Sequence, residues 1–353
     1  MEKAAGKKPV KLLQKQPVMR RVLLALVPCI CGAIYYFGWY CLFVIALANI
    51  TGFTVEFIFT RRRNKPVTEA VFVTSTLFAL VMPPTVPWHV VIFGTAFAVM
   101  FAKEVFGGFG RNIFNPALAG RAFVYVCFPV ALTAAWAPVS QEPWGALDKW
   151  TTVDSPDAIS GATPLARLKA GQIQLATDYA GPEIPHIVEK GQEVKVIKSF
   201  FYRALLFGRI SGTMGVTSAI LICIGGVYLF ITKTASRTVI LSTIITYAFW
   251  NDVLYQFGVP PIPGAIPAVL GGGFLFGAFF MATDPVSSPK TEPARIIYGI
   301  IIGTCTMVIR NFSIFNGGLM FSILIGNMFA PILDYYVVSL KSGKKAANGS
   351  DKK

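Results

Sequence analysis

The sequence predicts an all-α integral membrane protein with about ten transmembrane helices. Of its 353 residues, 54% are apolar and 14% are charged, whereas a soluble domain carries about 25% charged residues. Spanning a bilayer takes about 20 apolar residues per helix, and several long stretches contain no Asp, Glu, Lys or Arg. This composition excludes a soluble, disordered, collagen-like or coiled-coil protein. The net charge of +15 fits basic loops and tails better than nucleic-acid binding, so no nucleic acid is expected as a partner.

The first half of the chain supplies five predicted spans. Residues 22–55 carry no charge, and the turn at residues 37–39 divides them into two helices. Residues 70–102 are also uncharged, and the proline-rich run at residues 83–87 cuts them into two more. A fifth span is expected at about residues 118–136.

The second half supplies five further spans after a polar segment at residues 137–198. The expected spans lie at about residues 213–231, 239–257, 265–283, 296–309 and 314–336. An odd number of spans in each half would make two five-helix halves inverted relative to each other, as in many transporters.

Basic residues orient these spans, because cytoplasmic loops are enriched in Lys and Arg. With both termini inside, the basic loops fall on the cytoplasmic side, and Arg310 is the one exception. The predicted organisation is a basic N-terminus (1–21), a first transmembrane half (22–136), an external segment (137–198), a second transmembrane half (199–340) and a cytoplasmic tail (341–353).

Six acidic residues lie in or at the ends of the apolar spans. A charge at mid-membrane costs about 2.5–3.5 kcal/mol on insertion scales, so such residues need compensation or a role. Three of them could simply reach the interface, and Glu104 could pair with Lys103 or Arg121. The alternative is a cation path, because carboxylate oxygens suit a hard ion such as sodium. The six are Glu56, Glu69, Glu104, Asp252, Asp284 and Asp334, of which Glu56, Glu69 and Asp334 are the interfacial candidates.

Glycine-rich stretches do not form a nucleotide-binding motif. The loop at residues 106–110 and the run at residues 271–277 lack the spacing of a P-loop or a dinucleotide fingerprint. Their glycines favour close helix packing or backbone approach to a flat ligand. The chain contains no Rossmann unit. Ser211 is equally interpretable as a helix cap or as a contact to a bound cofactor.

Metal binding is not predicted. The six cysteines lie in apolar runs without a CxxC spacing, so Cys29 and Cys31 are better explained as buried thiols than as iron ligands. The two histidines, His89 and His186, fall in different predicted loops, which disfavours a bis-histidine haem.

The external segment contains the string Asp157-Ala158-Ile159-Ser160-Gly161-Ala162-Thr163. Its simplest interpretation is an ordinary turn, with Ser160 and Gly161 supplying the turn chemistry. The string also closely resembles the site at which a flavin transferase esterifies the phosphate of FMN to a threonine hydroxyl. In that interpretation Thr163 is the acceptor, and Asp157, Ser160, Gly161 and Ala162 belong to the attachment motif.

A wider resemblance covers most of residues 67–135 and 270–340. These stretches are similar to the B subunits of sodium-translocating NADH:quinone reductases and, more loosely, to the D subunits of Rnf complexes, which together form one family. The runs that carry the resemblance are Val67-Thr68-Glu69-Ala70-Val71-Phe72-Val73-Thr74-Ser75, Ala102-Lys103-Glu104-Val105-Phe106-Gly107-Gly108-Phe109-Gly110-Arg111-Asn112, Asn115-Pro116-Ala117-Leu118-Ala119-Gly120-Arg121, Phe279-Phe280-Met281-Ala282-Thr283-Asp284-Pro285-Val286-Ser287 and Ala330-Pro331-Ile332-Leu333-Asp334.

The resemblance implies a component of a redox-driven sodium pump in the bacterial inner membrane. It implies covalent FMN on Thr163, riboflavin within the helices, and quinone near Gly107 and Gly108. Glu104, Asp284 and Asp334 match acidic positions that serve sodium uptake in the family. The implied partners are a flavin transferase, an NADH- or ferredoxin-oxidising subunit and a second subunit with covalent FMN.

Two other functions remain open from the sequence. The chain could be the D subunit of an Rnf complex, which exchanges electrons between ferredoxin and NAD without quinone. It could also be a secondary transporter without a redox role, whose halves form a site at the membrane midplane.

Overall fold

The computed structural model describes residues 12–133, 137–140, 142–152, 173–176, 194–208, 210–259, 262, 264–313 and 317–350. This part of the chain is mostly helical. Its helices are α1 (Pro17–Phe37), α2 (Tyr40–Arg62), α3 (Ala70–Leu80), α4 (Trp88–Val99), α5 (Pro116–Cys127), α6 (Pro129–Thr133), α7 (Lys198–Phe207), α8 (Ala219–Ile231), α9 (Arg237–Gln256), α10 (Ala265–Leu270), α11 (Phe274–Phe276), α12 (Glu292–Phe312) and α13 (Gly318–Ser350).

Four helices are long and apolar enough to cross a bilayer. They are Pro17–Phe37, Tyr40–Arg62, Glu292–Phe312 and the part of α13 at Gly318–Ser342. Three shorter apolar helices, α3, α5 and α8, pack among them. A continuous hydrophobic core runs through both halves of the chain, and many large apolar side chains point outward, as expected where lipid is the solvent.

Two short pairs of parallel strands depart from the all-α prediction. Strand β1 (Leu13–Gln14) pairs with β2 (Val67–Thr68), with Leu13 opposite Val67. Strand β3 (Ile173–Ala176) pairs with β4 (Val194–Ile197). The first pair matters for the site, because it ties the chain before α1 to the turn before α3.

The start of α1, the end of α2, the start of α3 and the turn after α8 lie together at one end of the structure. We call it the basic end, because it carries Arg20, Arg61, Arg62 and Arg63. Arg20 of α1 donates to both carboxylate oxygens of Glu69, at 2.9 and 3.0 Å from its Nε. The backbone N–H of Gln16 donates to the same carboxylate at 2.6 Å. These bonds hold the pKa of Glu69 below its usual range. Glu69 is thus a buried carboxylate paired with Arg20, and its place at the membrane interface stays a prediction.

The opposite end is built from proline turns and the segment at residues 142–152. The turn after α3 is paired to the chain before α8, since the N–H groups of Met214 and Gly215 donate to Met82 and Leu80. The prediction that prolines cut residues 70–102 is confirmed, because α3 ends at Leu80 and α4 begins at Trp88.

The predicted span at residues 265–283 is not one continuous helix. The backbone breaks after α10, where Gly272 and Gly273 have φ values of +59° and +72°, a conformation that costs other residues a steric penalty. Arg310 of α12 donates to the carbonyls of Ala268, Gly271 and Gly272 around this break. Arg310 is therefore no loop residue, because its cation lies at the carbonyl end of a half-helix, where positive charge is favoured.

Two helices of the basic end contain a turn of π-helix. One is Met100–Glu104, directly after α4, and the other is Gly277–Met281, directly after α11. A π-turn adds a residue to the helical turn and commonly occurs at functional sites. Both turns border the cavity described below.

Other local predictions were displaced by a few residues. The helix cap before α8 is Ser218, whose Oγ accepts the N–H of Leu221 at 3.5 Å, so the prediction of Ser211 as the cap was wrong. Helix α5 ends at Cys127, before Pro129, because proline has no N–H for the helix to use.

Gly38 is expected to be essential for the packing at the opposite end. Its φ of +95° and ψ of −177° suit glycine alone, and an added Cβ would lie 2.7 Å from the carbonyl oxygen of Lys149. We expect Gly38→Ala to destabilise the protein by about 3 kcal/mol, and Gly110→Ala by only about 1 kcal/mol. Gly110 shares the positive φ, but a Cβ there meets nothing within 4 Å. Melting temperatures in detergent test this, and equal losses would contradict it.

Candidate functional site

A cavity lies between the two halves of the chain at the basic end. It has a volume of about 50 Å³. The first half lines it with α1, α3, the π-turn after α4 and the chain leading into α5. The second half lines it with α8, the turn after α8 and the chain that follows the π-turn at Gly277–Met281.

The cavity wall combines apolar faces with polar groups. Phe109 and Phe280 supply aromatic surface, and aliphatic side chains of α1 and α3 supply most of the rest. The polar side chains in the wall are those of Thr74, Lys103, Asn112, Asn115, Thr234, Thr283 and Asp284. Apolar walls with a few fixed donors and acceptors are typical of sites for small organic ligands.

The most buried charges of the site are Glu56 and Lys103, which form an ion pair. The Nζ of Lys103 lies 2.5 Å from Oε2 of Glu56 and 2.9 Å from Oγ1 of Thr68. Thr68 donates to Oε1 of Glu56 from both its N–H, at 2.8 Å, and its Oγ1, at 2.6 Å. Glu56 is 0% exposed and Lys103 is 1% exposed. The interfacial interpretation of Glu56 was therefore wrong.

Glu104 pairs with Arg63 instead of either predicted partner. Its Oε2 lies 3.0 Å from Nη1 of Arg63. The other terminal nitrogen of Arg63, Nη2, donates to the backbone carbonyl of Glu104. Its Oε1 is buried and has no hydrogen-bond partner among the described residues. The predicted partners failed because Lys103 turns to Glu56 and because α5 directs Arg121 elsewhere. Arg121 carries a buried Nε without a partner in the described part of the chain.

Asn115 joins the two halves beside the cavity. Its Oδ1 accepts the N–H groups of Ala117 and Leu118 and so caps α5, while its Nδ2 donates to the carbonyl of Met281 at 3.1 Å. The bonded carbonyl belongs to the last residue of the second π-turn. A single amide therefore fixes the start of α5 against the opposite wall of the cavity.

Asp284 lies in the turn that follows this π-turn. Its Oδ2 accepts the hydroxyl of Ser287 at 2.7 Å and the N–H of Ser287 at 3.3 Å. Burial raises the pKa of Asp284 above its usual range, although the bonds from Ser287 and a contact with Asn112 oppose that shift. The carboxyl group belongs to the cavity wall.

Asp334 is placed away from the cavity and caps a helix. Its Oδ1 accepts the N–H and the hydroxyl of Thr291 at 2.9 and 2.7 Å, and its Oδ2 accepts the N–H of Lys290 at 2.8 Å. These groups stand at the start of α12. The carboxylate thus fills the role of an N-cap from a different helix.

Gly107 and Gly108 lie in the loop that follows Glu104, with φ values of +109° and +95°. The next residue, Phe109, lines the cavity. A Cβ added to Gly108 would lie 3.6 Å from Oε1 of Glu104. The predicted quinone glycines, Glu104 and the cavity are therefore neighbours.

The predicted flavin attachment motif is not part of the described structure. Asp157, Ser160, Gly161, Ala162 and Thr163 all lie outside the described residues. Within the described residues, no three His, Cys, Asp or Glu side chains converge to hold a metal ion.

Sequence reasoning missed Thr68, Asn112 and Asn115 as site residues. Asn115 carried a usable signal, because asparagine followed by proline is typical of a capped helix start. Thr68 and Asn112 carried none, since their roles depend on partners far away in the sequence.

Comparison with known proteins identifies relatives of the chain. The model of the NQR2, RnfD, RnfE family matches residues 11–343. The chain is 35% identical over 321 residues to the B subunit of the Na(+)-translocating NADH-quinone reductase from Ectopseudomonas mendocina, covering 90% of this chain and 70% of that one. It is 31% identical over 344 residues to the D subunit of the ion-translocating oxidoreductase complex from Shewanella amazonensis, covering 92% of both chains.

Proposed function

Because the chain belongs to the NQR2, RnfD, RnfE family, we propose that it is a membrane subunit of a sodium-translocating NADH:quinone reductase. In this function it carries electrons through bound flavin toward quinone. It is catalytically incomplete alone and works with the other subunits of the complex. The observation that supports the proposal is the cavity between the halves. Its wall contains hydrogen-bond donors and aromatic side chains, and the buried carboxylates of Glu56 and Glu104 lie near it.

The proposed membrane architecture has ten spans in two inverted halves, at residues 22–136 and 199–340. Both termini are cytoplasmic, and the segment at residues 137–198 is external. The clustering of basic residues at one end of the helices supports this orientation. In it the cavity opens toward the cytoplasm, and the proline turns face the outside of the bacterial inner membrane.

FMN is proposed to be held on Thr163 as a phosphoester, formed by a flavin transferase. Thr163 lies in the external segment, where a second enzyme can reach a hydroxyl flanked by the small residues Gly161 and Ala162. The electron donor is a neighbouring subunit that also carries covalent FMN. NADH is oxidised on a further subunit, because this sequence contains no dinucleotide fingerprint.

Riboflavin is proposed to occupy the cavity, and quinone the neighbouring loop at Gly107 and Gly108. A bound flavin supplies one-electron chemistry, and the chain supplies position and charge. The wall fits the group in its chemistry, with donors at Lys103 and Asn112 and aromatic surface at Phe109 and Phe280. The volume of about 50 Å³ is well below the roughly 300 Å³ of a small ligand pocket. Binding therefore requires the cavity to widen, and we propose that the glycine loop that carries Phe109 is the part that moves.

The cation path is proposed to include Glu104, Asp284 and Asp334. Glu104 is included because its Oε1 has no hydrogen-bond partner among the described residues. Asp284 is included because it lines the cavity. Asp334 would act at the start of α12, where its oxygens already accept three donors. These carboxylates would balance the negative charge that a reduced flavin adds in a medium of low dielectric constant.

The D subunit of an Rnf complex is the second candidate function. The relative from Shewanella amazonensis matches across 92% of both chains, which favours this alternative. Copurifying partners separate the two candidates, because an NADH-oxidising flavoprotein indicates the quinone reductase and a polyferredoxin subunit indicates the Rnf complex.

Thr163→Ala is expected to remove covalent flavin completely, because no other hydroxyl would take its place. A denaturing gel viewed under ultraviolet light should show a fluorescent band for the parent chain and for Thr152→Ala, and a dark band for Thr163→Ala. A dark band for the parent chain, from cells that express the transferase, would favour a transporter without a redox role.

Asp284→Asn is expected to raise the sodium concentration for half-maximal turnover by about tenfold, corresponding to roughly 1.4 kcal/mol of lost ion binding. Asp334→Asn should raise it less, because hydrogen bonds already occupy its oxygens. Asp252→Asn is the matched control, since Asp252 is exposed on α9 and bonded to Gln256. Unchanged sodium dependence in both test variants would rule out this carboxylate path.

A further inference from the structure

The ammonium group of Lys103 is bonded to two side-chain oxygens, one of Glu56 and one of Thr68, and we call this pair of residues the cage. Oε2 of Glu56 and Oγ1 of Thr68 lie 2.5 and 2.9 Å from Nζ, and Thr68 in turn is bonded to the other oxygen of Glu56. Carboxylate and hydroxyl oxygens are also the ligands that small hard cations take in proteins. The lysine thus occupies a position that a free cation could fill.

Glu104 is a second buried carboxylate beside Lys103 in the chain. It follows Lys103 in the π-turn and is 1% exposed, and its negative charge and that of Glu56 repel each other. Its Oε1 is buried and accepts no hydrogen bond from the described residues. A buried carboxylate oxygen without a donor is unfavourable, and a bound cation would satisfy it.

The charges of this cluster balance only with the lysine in place. Glu56 and Glu104 contribute two negative charges, and Lys103 and Arg63 contribute two positive charges. Removing the ammonium from the cage leaves one negative charge buried and uncompensated, which is strongly unfavourable. Another cation must then enter.

The ammonium group of Lys103 has an alternative binding position in the cavity, because Lys103 also lines the cavity. Its side chain is a flexible stem of four carbons that ends in a compact charge. An anion in the cavity would attract the ammonium away from Glu56. Lys103 thus contacts Glu56 and Thr68 and also belongs to the cavity wall.

We propose that Lys103 is a tethered counter-ion that holds the place of a monovalent cation between Glu56, Thr68 and Glu104. When an anionic ligand forms in the cavity, the ammonium turns to it, and the cage takes up Na⁺. One electron added to the ligand is balanced by the lysine charge, and the vacated cage is balanced by one Na⁺. The identity of the anion as a reduced flavin or quinone rests on the proposed function, whereas the cage rests on the contacts alone.

Lys103→Met tests the cage in the oxidised, intact complex by equilibrium binding of radioactive Na⁺. The variant should bind one more Na⁺ per complex than the parent does, because the cage is vacated without any reduction. The additional ion should be absent from the double variant Glu56→Gln/Lys103→Met. Lys65→Met is the matched control, since Lys65 is an exposed lysine of the basic end, and it should bind as the parent does.

An assembled Lys103→Met complex that binds no additional Na⁺ would overturn the proposal. If that variant fails to assemble, the parent complex provides the second test. On reduction by dithionite it should take up one more Na⁺ than it binds when oxidised, and Glu56→Gln should lose that uptake. Equal uptake by the parent and by Glu56→Gln would also overturn the proposal. A complex without flavin would refute the proposed function, but the measurement on oxidised Lys103→Met would still decide whether the cage exists.

Discussion

The arrangement of the basic end follows from one constraint, which is that an uncompensated charge is unfavourable inside a membrane protein. The ion pair between Glu56 and Lys103 is the strictest case, because both side chains are almost completely buried. Breaking such a pair by removing one partner typically costs about 3–5 kcal/mol. The pair therefore fixes the distance between α2 and the π-turn after α4, and Thr68 adds the turn before α3 to the same unit.

The same constraint explains how breaks in the helices are stabilised. At the glycines after α10, backbone carbonyls accept hydrogen bonds from the guanidinium of Arg310. At the end of the second π-turn, the carbonyl of Met281 accepts a hydrogen bond from the side-chain amide of Asn115. Backbone groups without partners are unfavourable in lipid, so each of these irregularities in a helix is matched by a polar side chain from another helix. The π-turns border the cavity together with α1, α3 and α8.

The helices could largely be predicted from the sequence, because uncharged runs and prolines are local signals. The division at Gly38 and the proline turn after α3 were read correctly. The break at Gly272 was not, since the run around it is as apolar as a continuous span. Its carbonyls are bonded by Arg310, about forty residues further along the chain.

The partner of Glu104 was missed for the same reason. Lys103 is its neighbour in sequence, but α2 brings Arg63 to one acid and Glu56 to the lysine. Which buried charges form pairs depends on how the helices pack, and the pattern of neighbouring residues in the sequence does not predict that packing. Whether Thr163 carries a flavin is likewise a prediction from the motif, independent of the described fold.

A density map of the intact, oxidised complex at a resolution that separates ring atoms tests the central claim most directly. The account predicts flat density for a flavin ring between Phe109 and Phe280, within reach of Lys103 and Asn112, with the glycine loop displaced outward. A cavity that keeps its present walls and contains only water or lipid, with every flavin of the complex located elsewhere, would contradict it.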